Sequence, residues 1–163
     1  MRFIFIGILL LTAGIGQSLA QLTESKVQAL YVMKFIESTK WSDEKKGIVI
    51  GIIGQSDVQT ELTNRINFKN PLNIIVKQVS INDANTCDVV FVARNGNGQM
   101  SALVQNTGSK SVLIISETNL INKGAAISFH IEDGKVHFIA NKEVIKTRGI
   151  KISADVLNLG KQV

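Results

Sequence analysis

The chain predicts an α/β fold, a three-layer sandwich in which a mostly parallel central sheet is flanked by helices and ends in an antiparallel β-hairpin. Three observations carry that prediction. The run Gly47-Ile48-Val49-Ile50-Gly51-Ile52-Ile53-Gly54 holds no polar side chain. A strand with one wet face would alternate, so this one is expected to be covered on both faces. Further apolar runs then alternate with short helical patterns, which is how a parallel sheet with crossover helices reads. Finally, Asp133-Gly134 stands between two alternating segments, the composition of a two-residue hairpin turn of the type I′ kind.

The 163 residues, with one proline and no repeat, amount to one domain with a core of its own. Residues 1–20 read as a secretory signal peptide. Arg2 forms a short positive region, Phe3 to Ile15 an apolar core, and Ser18-Leu19-Ala20 a small-x-small cleavage site before Gln21. That apolar run is shorter than the roughly 20 residues a membrane span requires. Residues 21–163 are therefore expected as a soluble, exported domain. The net charge of +5 includes Arg2, and the lysines are scattered, with Lys45-Lys46 the longest basic run. A solvated surface accounts for them better than a nucleic-acid partner. The single cysteine, Cys87, cannot close a disulfide within the chain and precedes an apolar strand, so a buried free thiol is expected.

The first helix is predicted from Thr23 to about Lys40, with Thr23 or Ser25 as its cap. Val27, Leu30, Tyr31, Lys34 and Phe35 follow one helical stripe, widened by Met33 and Ile36. Lys34 is the odd member and snorkels past the apolar surface or offers its charge to a partner. Trp41 is expected to fold back over the helix end or the sheet edge. After the run ending at Gly54, Ser56 and Gln59 have the spacing of a capping box for a helix from Val58 to about Ile66.

Pro71 precedes a second strand, Asn73 to Val79, and Ser80 to Thr86 has room for about one helical turn. A third strand, Asp88 to Ala93, leads into Arg94-Asn95-Gly96-Asn97-Gly98 and a helix from Gln99 to about Gln105. A fourth strand follows at Ser111 to Ser116.

In such sheets ligands bind beyond the carboxyl ends of the strands, where strand order reverses. Gln55, Ser56, Arg94 and Glu117 are thus the candidates for a ligand crevice. Arg94 beside a turn that opens a helix could hold an anion. The glycines match neither the dinucleotide fingerprint nor the phosphate loop, so no cofactor is expected. A tight turn at positive φ explains every residue there but Arg94.

The Asp133-Gly134 turn fixes the pairing of the hairpin: Glu132 with Lys135, Ile131 with Val136, His130 with His137, Phe129 with Phe138. One face, with Phe129, Ile131, Val136 and Phe138, is expected on the core. The other carries both histidines of the chain. Imidazoles near Glu132 suit a transition metal. No third ligand is evident, and a polar outer face needs polar residues anyway, so no metal site is assigned. A helix from Lys142 to Thr147, an edge strand at Ile150 to Ile152, and a short helix after Ser153 docking Val156, Leu157 and Leu159 complete the chain.

Several landmarks fall in one order. They are Tyr31-x-x-Lys34-Phe35-Ile36, Trp41, the strand closing at Gly54, Cys87 before a strand, and Val112 to Ser116. Gly124, Phe138-Ile139-Ala140-Asn141, Gly149-Ile150-Lys151-Ile152-Ser153 and the leucines 157 and 159 follow. In that order the chain resembles the YfiR-like family of exported bacterial proteins over nearly all of its mature length. It departs from the family at Ser42, where a proline is usual. The resemblance implies a periplasmic regulator that binds the extracytoplasmic domain of a membrane-bound diguanylate cyclase and holds it inactive. Paired cysteines tie some members to redox state; with Cys87 alone, an intramolecular disulfide does not carry over.

No G-x-S-x-G or H-E-x-x-H motif supports an enzyme. The alternatives are a small-ligand module using the crevice, or an accessory protein of a sensor kinase. Lys34 and Trp41 are the expected partner-binding residues, and a homodimer is a further partner reading.

Overall fold

Strand order explains how one chain produces both a ligand-type crevice and a separate helical surface. The computed structural model describes the backbone of residues 13–41 and 45–163, and side chains from Glu24 onward. Most of the expected signal peptide, residues 1–12, and the turn at Ser42 lie outside the described residues. Among the described residues no helix is long and apolar enough to cross a membrane.

The elements are α1 (Ala13–Glu37), β1 (Ile48–Ile53), α2 (Asp57–Phe68), β2 (Ile74–Gln78), β3 (Val89–Val92) and α3 (Met100–Thr107). After them come β4 (Leu113–Ser116), β5 (Ile127–Glu132), β6 (Lys135–Ala140), α4 (Lys142–Thr147), α5 (Ala154–Leu157) and β7 (Lys161–Gln162). Among the described residues seven strands form one sheet in the order β2-β1-β3-β4-β5-β6-β7. β2, β1, β3, β4 and β5 run parallel, β5 and β6 antiparallel, and β6 and β7 parallel. The fold is the α/β sandwich the sequence predicts.

Strand alternation sorts β1 onto two cores. Ile48, Ile50 and Ile52 belong to a core that also holds residues of α1, α2, α4 and α5, whereas Ile53 joins Val90, Val92 and Ile114 in a second core with Met100 and Leu103 of α3. Both faces are covered, which is why the run needs no polar residue. Cys87 belongs to the second core, is buried, and is a free thiol. Burial pushes its pKa up, opposed by Lys77.

The hairpin forms in the expected register, with His130 opposite His137 and Glu132 opposite Lys135. Asp133 and Gly134 both take positive φ, 49° and 70°, as a type I′ turn requires. Phe129 and Phe138 join Tyr31 and Phe35 of α1 in an aromatic cluster, with the Phe35 and Phe138 rings edge-on at 4.9 Å. Ile131, expected on the core, is 41% exposed; the hairpin outruns the helices that cover its base.

Four further expectations are corrected. α1 runs unbroken from Ala13, so neither Thr23 nor Ser25 caps it; Ala20-Gln21-Leu22 are good helix formers that carry it through. Its buried stripe is turned from the expected one. Met33, Phe35 and Ile36 are buried as expected and Lys34 is exposed, but Ser25, Gln28 and Val32 are buried as well, while Leu30 is 46% exposed. Ile150 to Ile152 add no strand to the sheet. Instead Thr39 bridges Ile152, the Lys40 N–H donates to the Lys151 carbonyl at 2.8 Å, and the Ser153 N–H to that of Ser38 at 2.9 Å. The segment is thereby tied to the end of α1, and the edge place goes to β7. In the terminal helix Val156 and Leu157 dock as expected, but Leu159 is 60% exposed, since the chain must turn there to bring β7 alongside β6.

Candidate functional site

Two separate places gather the candidate residues. The first is the crevice at the carboxyl ends of β1 and β3, where strand order reverses. Gln55, Ser56, Arg94 and Glu117 all line one open cavity of about 600 Å³, with Asp57, Gln59, Gln78 and Asn95.

Glu117 is its central strut. One carboxylate oxygen accepts from the Ser56 hydroxyl at 2.9 Å and the other from the Arg94 backbone N–H at 2.6 Å. The Asn95 side-chain oxygen accepts from the Gln55 N–H at 2.9 Å. Charge-assisted bonds of this kind fix the three loops relative to one another. Ser56 caps α2 by accepting from the Val58 N–H at 3.2 Å. The reciprocal half of the expected capping box is not made, because the Gln59 side chain accepts from Gln78 instead.

Arg94-Asn95-Gly96-Asn97-Gly98 is not the positive-φ turn expected. It winds as a 3-10 helix, Arg94–Gln99, straight into α3, and neither Gly96 nor Gly98 has positive φ. Gly96 answers a different need: a Cβ there would lie 2.8 Å from the Ile53 carbonyl oxygen. Arg94 itself is exposed at the rim.

The second place is the end of α1 with the segments zipped to it. The Trp41 indole N–H donates to the Ile36 carbonyl at 2.8 Å, so the ring folds back over the helix end as expected and occupies one of the carbonyls that a helix terminus leaves unpaired. Trp41 is half-buried and shares a small hollow with Gly149 and Ile150.

On the other side of that segment lies a cavity of about 400 Å³. Ile145, Ile150, Ile152 and Leu157 contribute its apolar surface, and Lys142, Lys146 and Lys151 are its charged members, with no acidic residue among the described lining residues. Sequence reasoning missed this cavity. Its one local signal was the i, i+4 spacing of Lys142 and Lys146, which puts both on one helix face. Lys34 lies one turn before Ser38, the residue that bonds Ser153. The chain thus brings Lys34, Trp41 and the cavity to the same end of α1.

The histidine pair has neighbouring rings, centroids 5.7 Å apart, and His130 Nε2 lies 3.6 Å from Glu132. Among the described residues no group of three or more His, Cys, Asp or Glu could hold a metal ion.

The sequence profile of the YfiR/HmsC-like family matches residues 25–161. The chain belongs to the YfiR/HmsC-like family. No curated protein matches it. Among solved structures, a conserved domain protein from Vibrio cholerae is similar with a TM-score of 0.57 and 12% identity, over 85% of this chain and 59% of that one. An ABC domain from Streptococcus pneumoniae, solved in complex with L-Trp, is similar with a TM-score of 0.57 and 16% identity, over 86% of this chain and 62% of that one. Both likenesses concern the fold. The chain spans less than two thirds of either solved chain.

In this YfiR/HmsC-like domain the landmarks that carry the resemblance divide between core and surface. Tyr31, Phe35 and Phe138 build the aromatic cluster, whereas Gly149 and Ile150 line both the hollow of Trp41 and the lysine-rimmed cavity.

Proposed function

We propose that this YfiR/HmsC-like chain is a periplasmic, non-enzymatic regulator that binds the extracytoplasmic domain of a membrane-bound diguanylate cyclase and holds it inactive. Cyclic di-GMP and biofilm formation would then be restrained while it is bound. The family supports the regulatory role, and the signal-peptide pattern of residues 1–20 supports export.

The observation that carries the reading is the apolar cavity between α4 and α5, with three lysines and no acid among its described lining residues, which shares Gly149 and Ile150 with the hollow that holds Trp41. An apolar pocket beside a half-exposed indole is the usual setting of a protein–protein anchor, and charges at its rim steer and orient the partner. The partner this surface fits presents an apolar side chain flanked by carboxylates. Lys34, exposed at the same end of α1, offers a further cation to the same partner. Regulation is then a population shift, in which the inactive receptor must be bound more tightly than the active one. Moving an equilibrium from 1:99 to 99:1 takes a preference of about 10⁴-fold.

The test is crosslinking of the tagged, exported protein in cells, followed by recovery from solubilised membranes. Wild type should recover a diguanylate cyclase. The double variant Lys146→Glu, Lys151→Glu, folded by circular dichroism, should lose at least about tenfold of that recovery. A sensor kinase in its place would redirect the pathway and leave the surface standing. Equal recovery by both proteins would remove the surface, and no membrane receptor at all would remove the function.

The crevice favours a second reading, a small-ligand module. Its amides, Arg94 and the two carboxylates of Asp57 and Glu117 suit a small polar molecule. Native mass spectrometry of freshly purified protein tests this: a bound solute lost on Arg94→Ala supports it, and an unliganded mass contradicts it.

A further inference from the structure

The crevice beyond β1 and β3 is lined, among the described residues, by four amides, a hydroxyl, two carboxylates and one guanidinium, with no aliphatic or aromatic side chain. Small-molecule sites are usually apolar, with a few polar groups that fix orientation. Here that pattern is inverted, so the occupant has no apolar body to bury. A nucleobase, an indole or an acyl chain would find no face to lie against. The space itself, about 600 Å³, is ordinary for a small-molecule site.

The hydrogen-bonding valences that the fold leaves open narrow the class further. The Ser56 hydroxyl and both oxygens of Glu117 already hold the loops together. Asn95 Oδ1 accepts from the Gln55 N–H. Gln78 Nε2 donates to the Gly54 carbonyl at 2.9 Å and to Gln59 Oε1 at 2.6 Å. The other ends of these amides face the crevice's solvent: Asn95 Nδ2 and Gln59 Nε2 can only donate, and Gln78 Oε1 can only accept. Among the described residues neither Asp57 nor Arg94 forms a salt bridge, and both are exposed.

The open valences therefore mix donors with acceptors. A phosphate or carboxylate only accepts, and would leave Asp57 and Gln78 Oε1 facing it without a proton between them. An amine only donates, and would leave Arg94, Asn95 and Gln59 without an acceptor. A hydroxyl does both. The charges agree, since Arg94 stands against the carboxylates of Asp57 and Glu117 and the crevice has no surplus of positive charge to draw an anion. Carboxylates and guanidinium groups also offer two atoms side by side for bidentate pairing, a spacing that takes two neighbouring hydroxyls.

We propose that the crevice binds an uncharged polyhydroxylated solute, a free sugar or polyol, held by hydrogen bonds alone, with Asp57 accepting and Arg94 donating. This rests on the small-ligand reading of the crevice and names the chemical class of its ligand.

The test is isothermal titration calorimetry on the exported, exhaustively dialysed protein. The probes are D-glucose, N-acetyl-D-glucosamine and sorbitol, with L-glutamate and inorganic phosphate as charged comparisons. At least one hydroxylated probe should bind with a Kd of about 1 mM or tighter, and the charged ones should bind more weakly. Asp57→Ala and Arg94→Ala should each weaken that binding at least about tenfold, with unchanged circular dichroism spectra because both side chains are exposed. Tighter binding of glutamate or phosphate than of every hydroxylated probe would overturn the class and leave the crevice a ligand site. Binding of a sugar or polyol that survives both substitutions would overturn the site. No binding of any hydroxylated probe would overturn the proposal, and the native mass of freshly purified protein then judges the small-ligand reading separately.

Discussion

Cys87 shows how a single residue's surroundings become a pH dependence. Its thiol sits in the second core with its pKa raised by burial. A group whose folded pKa lies above its unfolded value contributes stability below the unfolded pKa and loses it as pH rises. For a thiol that loss begins near pH 8.5 and continues through the raised folded value. Unfolding free energy should therefore fall above that pH in wild type, with a shallower slope in Cys87→Ala; equal slopes in urea titrations would contradict it. The native thiol should also react slowly with a thiol reagent and quickly once unfolded.

Gly134 is the second residue-scale case. Its φ of 70° is a backbone requirement alone, since no atom lies within 4 Å of where a Cβ would stand. Gly134→Val should cost about 1 kcal/mol or more by denaturant melting. Both residues were legible in the sequence, because burial of a cysteine before an apolar strand and a two-residue turn are local matters. Glu117 was placed in the crevice from its position after a strand. Its part in joining Ser56 to Arg94 was not readable, because those contacts span 61 and 23 residues of chain.

At the scale of elements, local rules succeeded where the chain turns on itself and failed where a distant segment decides. The hairpin register followed from its turn. The helix Lys142–Thr147 has the expected bounds, with Asn141 capping it by accepting from the Val144 N–H at 3.0 Å. The stripe of α1 was misread because β6 and α2, not apolar spacing alone, choose which side is covered. Ile150 to Ile152 reads as an edge strand, yet pairs with the end of α1.

The element contact most exposed to mutation is that of Arg148, at the end of α4. Its guanidinium is buried and reaches the Thr107 hydroxyl at 3.2 Å and the carbonyls of Lys110 and Val112 at 3.4 and 3.5 Å. It thereby ties α4 to the turn between α3 and β4. Burial lowers its pKa, but an arginine starts so high that it stays charged near neutrality. Arg148→Ala would strand those buried acceptors and should destabilise the protein by about 2 kcal/mol or more. Thermal melting that matches wild type would contradict the tie.

Across the whole molecule, the β2-β1-β3 order places the crevice at one end of the parallel strands, while the tie between Lys40 and Lys151 builds the proposed receptor surface at the end of α1. The first was predictable, since a parallel sheet carries its switch point with it. The second depended on a cavity assembled from α4, α5 and the segment between them, which no spacing rule displays. Lys34→Glu, at the edge of that surface, should weaken receptor recovery less than the paired change at Lys146 and Lys151, whose side chains line the cavity itself. The reverse ranking would move the contact up α1.

The central claim, restraint of a membrane-bound cyclase, is tested most directly by cyclic di-GMP itself. Its cellular level would be measured in a gene deletion complemented with wild type or with the Lys146→Glu, Lys151→Glu variant. Deletion should raise the level, wild type should return it to the starting value, and the folded variant should leave it raised. A level that stays the same when the gene is deleted would contradict the account.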